Sequence, residues 1–96
     1  GFPSDPELWL EDLAPAQAEV AALAEALHAG GRGEEIVLVA ATPDAAAEAR
    51  ALAPFATVLT EKFGDIWLRD TGPIVLGSGA GRFAQGFAFN GWGGKY

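Results

Sequence analysis

Residues 34–60 read EEIVLVAATPDAAAEARALAPFATVLT, and the fold class follows from how they divide. The first eight, EEIVLVAA, hold a short continuous apolar run rich in β-branched residues, which predicts a strand buried on both faces. TPDAAAEARALA then reads as a helix. Thr42 is placed to cap it, Pro43 fits its first position, Asp44 favours the positive end of the helix dipole, and Pro54 follows its end. FATVLTEK, residues 55–62, is a second strand candidate.

Upstream, DLAPAQAEVAALAEALH (residues 12–28) is alanine-rich, with Val20, Leu23 and Leu27 spaced three and four apart as on one helix face. Asp12 can cap this helix, Pro15 is tolerated in its first turn, and the glycines of GGRG (30–33) are expected to end it. His28 falls in the last turn, where a positive charge meets the helix dipole, so it is read as a helix-end residue rather than a catalytic one. The order helix, strand, helix, strand with short connections predicts an α/β fold.

Downstream, GSGAGR (77–82) has the look of a phosphate-binding glycine loop. Such a loop must open a helix, and here RFAQGFAFN follows, with Phe83, Gln85, Phe87 and Phe89 at strand period. IVLG and RFAQGFAFN are therefore expected to form two strands joined by a tight glycine turn. GWGGKY (91–96) reads as a glycine-rich loop carrying one indole.

Composition narrows the function. The 96 residues suit one ordinary domain or a piece of a larger one, and half of them are hydrophobic. A net charge of −7 argues against a nucleic-acid partner and is compatible with a cationic ligand. The absence of cysteine removes disulfides and thiolate metal sites, and a single histidine cannot form a cluster. Asp65 and Asp70 are too few to hold a metal, so no metal and no cofactor is expected. No apolar run approaches the roughly 20 residues that span a bilayer, and no signal segment is visible, so no membrane partner and a cytoplasmic location are expected.

The chemistry-bearing stretch is DIWLRDTGP, residues 65–73. Its bland reading is a salt bridge, with Arg69 holding an acid while Trp67 plugs the core. Its functional reading is a receptor for a flat cation, in which a carboxylate takes two parallel hydrogen bonds from a guanidinium and an indole face adds cation–π attraction. In a regular strand Trp67 and Asp70 would point to opposite faces. The functional reading thus requires the chain to turn or bulge between them.

GDIWLRDTGPIVL followed by FAFNGWGGKY closely resembles the N-terminal part of the agmatine deiminase and bacterial peptidylarginine deiminase family, and GFPSDPELW looks like the same region. The resemblance covers essentially the whole chain, with its specificity in residues 65–75 and 87–94. It implies a pentein, or α/β-propeller, fold, with residues 1–96 supplying the first ββαβ unit and the start of the second as an N-terminal fragment of the catalytic domain. It implies hydrolysis of a guanidino group through a cysteine thiolate and a histidine, which lie in later segments of the family's chains. Carried onto this sequence, the resemblance makes Asp70 a catalytic and substrate-binding acid, and Trp67 and Trp92 substrate-binding indoles. It leaves Asp65 and Arg69 a structural pairing role.

The expected ligand is then a small cationic guanidino compound. Agmatine is favoured over peptidyl-arginine because WLRDTGP and FNGWGG are closer to that branch. Without a nucleophile the 96 residues alone are expected to be inert. As a fragment they are expected to show unpaired strand edges and a wide apolar face, covered by the rest of the polypeptide or by self-association into a homo-oligomer. Two other readings compete. One is a non-catalytic guanidinium- or polyamine-binding module of the same fold. The other is a free-standing small α/β domain, which requires covered sheet edges and a fully buried Trp67.

Overall fold

A computed structural model describes residues 1–90 and Gly93. The chain divides into two compact units, Gly1–Ile66 and the residues from Trp67 onward.

The first unit is mixed α/β. Its elements are α1 (Pro6–Trp9), a 3-10 turn (Leu10–Asp12), α2 (Leu13–His28), β1 (Val37–Ala40), α3 (Pro43–Leu52) and β2 (Thr57–Thr60). β1 and β2 pair in parallel from Val37↔Thr57 to Ala40↔Thr60, with α3 as the crossover between them. α3 begins as its sequence dictates: Thr42 Oγ1 accepts the Ala45 amide at 3.1 Å, and Pro43 opens the helix. Ala45, Ala46, Ala49 and Ala53 are buried with Leu38 and Ala40. These side chains are small, so α3 lies close on the sheet, and one large residue, the fully buried Phe2, fills the remaining space. The Phe2 amide donates to the Val39 carbonyl at 2.8 Å, which lays the N-terminal segment along β1.

Several sequence expectations are corrected here. β1 is not buried on both faces, since only Leu38 and Ala40 are fully covered while Val37 is exposed. Of the Val20–Leu23–Leu27 stripe, Val20 packs against the core but the two leucines do not. The helix buries Ala21 and Ala24, leaving Leu23 61% and Leu27 49% exposed beside an open groove. Small side chains let α2 approach its neighbours closely, and the leucines, one step round the helix, stay outside the contact.

Asp12 sits at the start of α2 without making a cap bond, because the chain enters from a 3-10 turn that already supplies carbonyls. The capping aspartate is Asp5, whose Oδ1 accepts the Glu7 and Leu8 amides at 2.9 and 3.3 Å. At the other end the left-handed residue is Ala29 (φ 49°), not a glycine, with Gly30 continuing the turn at φ 64°. His28 is the last residue of α2 as expected. Its ring stacks on Phe55 with centroids 4.8 Å apart and planes 12° from parallel.

The second unit contains α4 (Leu68–Thr71), β3 (Ile74–Ser78) and β4 (Gly81–Gln85). β3 and β4 form an antiparallel hairpin from Ile74↔Gln85 to Ser78↔Gly81, turning through Gly79 and Ala80. GSGAGR is thus a hairpin turn and opens no helix. β4 stops at Gln85, short of the alternation that runs on to Phe89. The residue facing Gly86 would be Pro73, which has no N–H to continue the ladder. Ile74, Val75, Leu76 and Phe83 are all exposed, so both faces of the hairpin present apolar side chains.

Candidate functional site

Trp67 and Asp70 are held by a single turn of helix. The Asp70 amide donates to the Trp67 carbonyl at 3.0 Å, and the Gly72 amide donates to the Leu68 carbonyl at 2.6 Å. Thr71 Oγ1 also reaches the Leu68 carbonyl at 3.4 Å. Gly72 leaves the helix in extended geometry and Pro73 follows, so the turn cannot continue. The backbone therefore does turn between Trp67 and Asp70. Trp67 precedes α4 with φ −75° and ψ 63° and Asp70 lies within it, so the pair is not laid out as on a strand, where the two would diverge.

Both side chains are exposed. Trp67 is 55% exposed, which removes both its reading as a core plug and the free-standing domain that required it buried. Asp70 is exposed, and no hydrogen bond or ion pair engages its carboxylate among the described residues. Arg69 is exposed beside it, and no ion pair engages it among the described residues of this unit. Asp65, in the first unit, accepts the Ile66 amide on its Oδ1 at 2.7 Å. Trp92 lies outside the described residues.

The first unit holds a hollow that the sequence did not announce, about 280 Å3 in volume and lined by Ser4, Asp5, Trp9, Thr42, Phe63 and Asp65. Asp5 and Thr42 are drawn to it by their capping duties at α1 and α3. The Asp-Pro pair at 5–6 was the available signal for the first of these caps. Among the described residues no group of three or more His, Asp or Glu side chains could hold a metal. No helix among them is long and apolar enough to cross a membrane.

Comparisons with known proteins bear on the chain as a whole. Residues 1–96 match the family described as Porphyromonas-type peptidyl-arginine deiminase along their full length. The chain belongs to that family. Within it the sequence is similar to the agmatine deiminase of Stutzerimonas stutzeri, at 36% identity over 96 residues that cover 98% of this chain and 25% of that protein. It is likewise similar to the agmatine deiminase of Pseudomonas fluorescens, at 38% identity over 97% of this chain and 25% of that protein. The chain thus spans about a quarter of the length of these deiminase relatives. No solved structure gives a significant match.

Proposed function

We propose that residues 1–96 serve as the N-terminal part of the catalytic domain of an agmatine deiminase-like hydrolase, cytoplasmic and of pentein fold, converting agmatine and water to N-carbamoylputrescine and ammonia. The observation that supports this reading is the turn at residues 67–71, where the Trp67 indole and the Asp70 carboxylate are both exposed. Full-length membership in the deiminase family and two relatives named agmatine deiminase support it.

In this reading Asp70 takes two hydrogen bonds from the guanidinium and fixes its plane, while Trp67 lies against its face. Trp92 adds a second indole. A cysteine thiolate from elsewhere in the polypeptide attacks the central guanidinium carbon. A histidine gives its proton to the departing nitrogen, which leaves as ammonia. Water then adds to the same carbon, returning a proton to the histidine, and the carbon–sulfur bond breaks, releasing the ureido product and restoring the thiolate. The carboxylate's role is orientation: attack on a resonance-stabilised cation demands that the carbon be presented squarely to the sulfur.

The 96 residues contribute part of the substrate clamp and no nucleophile, since they contain no cysteine. The remaining polypeptide covers the exposed faces of the hairpin and of α2. A peptidylarginine deiminase-like activity is the second reading, favoured by the family's own description. Kinetics of the complete enzyme on agmatine and on an arginine peptide separate the two: the first reading requires the larger kcat/KM for agmatine. The purified 96-residue chain is expected to release no ammonia from either, and release from the chain alone would overturn the division of labour.

A further inference from the structure

We infer that Gly72 is a positioning residue for the Trp67–Asp70 pair, an inference that rests on the clamp reading above. Its dihedrals do not require glycine: at φ −75° and ψ 166° the backbone is extended and open to any residue. Space is what excludes a side chain. A Cβ at position 72 would stand 2.7 Å from the Leu68 carbonyl oxygen, the same atom that accepts the Gly72 amide at 2.6 Å. The obstacle is backbone, so it cannot swing aside as a side-chain tip would.

Leu68 lies between Trp67 and Asp70 in the chain. Any side chain at 72 has to push the Leu68 carbonyl away and lengthen the bond that closes the turn. Pro73 removes the other escape, because the residue before a proline is held in extended geometry. The strain therefore falls on the peptide planes that set the indole and the carboxylate relative to each other. Gly79, in the hairpin turn of the same unit, offers a matched contrast, since a Cβ there would meet nothing within 4 Å.

The test compares Gly72→Ala and Gly79→Ala in the complete enzyme, with kcat and KM for agmatine, melting temperature and circular dichroism recorded for both. For G72A, kcat is expected to fall about 10- to 100-fold, the penalty of misplacing a reacting group by a fraction of an ångström to an ångström. KM should change less than about threefold, because the cation still meets both partners. Dichroism should match that of G79A and melting temperature should fall by only a few degrees, the cost of one lengthened hydrogen bond, while G79A should keep wild-type kinetics. Wild-type kcat in G72A overturns the inference. So does a variant that fails to fold or loses the wild-type dichroism, because Gly72 is then a folding residue. Asp70→Asn in the same assay keeps the layers apart: full activity in D70N sinks the clamp itself, whereas loss in D70N with wild-type G72A sinks only the role of Gly72.

Discussion

The Asp70 amide donates to the Trp67 carbonyl across 3.0 Å, and this one bond decides what the two side chains can do together. It turns the backbone between the two residues, which a ligand shared by the indole and the carboxylate requires and an extended strand does not provide. Both side chains are exposed, and among the described residues no hydrogen bond or ion pair engages the Asp70 carboxylate.

The indole should act mainly through binding. Replacing Trp67 by alanine in the complete enzyme removes a cation–π contact worth about 0.5–2 kcal/mol, so KM for agmatine should rise by roughly 2- to 30-fold. Phenylalanine at the same position, retaining a smaller aromatic face, should recover part of that loss. A fall in kcat with KM unchanged would show that Trp67 acts on the chemical step instead.

Phe2 is the largest side chain of an otherwise alanine-rich core and is 0% exposed. Phe2→Ala should cost about 3–5 kcal/mol, the usual result of emptying a buried aromatic site. Ala49→Leu, at a position with no room between α3 and the sheet, should cost about 1–3 kcal/mol by overpacking. Denaturant unfolding of the complete protein measures both, and a change under about 0.5 kcal/mol in either, the size typical of surface positions, would contradict the packing described.

Helix capping gives a paired test. Thr42 makes its cap bond and Asp12 does not. Thr42→Ala should therefore cost about 1 kcal/mol in denaturant unfolding, with Thr42→Ser recovering it. Asp12→Ala should stay within about 0.5 kcal/mol of wild type. Equal effects at the two positions would mean that α2 is capped as its sequence suggests.

The hairpin should be adhesive when alone. Its exposed Ile74, Val75, Leu76 and Phe83, with unpaired outer strand edges, favour association of the isolated 96-residue chain. Sedimentation should show concentration-dependent self-association that Val75→Lys reduces. A strictly monomeric isolated chain would argue that these faces are tolerated in water.

What was legible in the sequence was local. Thr42-Pro43-Asp44 announced α3 because capping is chemistry between near neighbours, and the glycine turn at 79–80 announced the hairpin for the same reason. The turn between Trp67 and Asp70 followed from a geometric demand: a shared ligand needs a shared face. Burial was less legible. Leu23 and Leu27 have the right spacing for a core stripe, yet the contact runs through Ala21 and Ala24, because which face is covered depends on partners and not on period. The entry into α2 was misjudged at Asp12 because a cap matters only where amides are free. Phe2 carried no local signal at all; its burial arises from a hydrogen bond to Val39, a residue far along the chain.

The central claim is that the Asp70 carboxylate grips the guanidinium. Ammonia release from agmatine by the complete enzyme carrying Asp70→Asn tests it most directly. Losing a hydrogen-bonded charge partner worth about 1.5–3 kcal/mol should lower kcat/KM by roughly 10- to 150-fold with the fold intact. A well-folded D70N enzyme that keeps wild-type kcat/KM would contradict it.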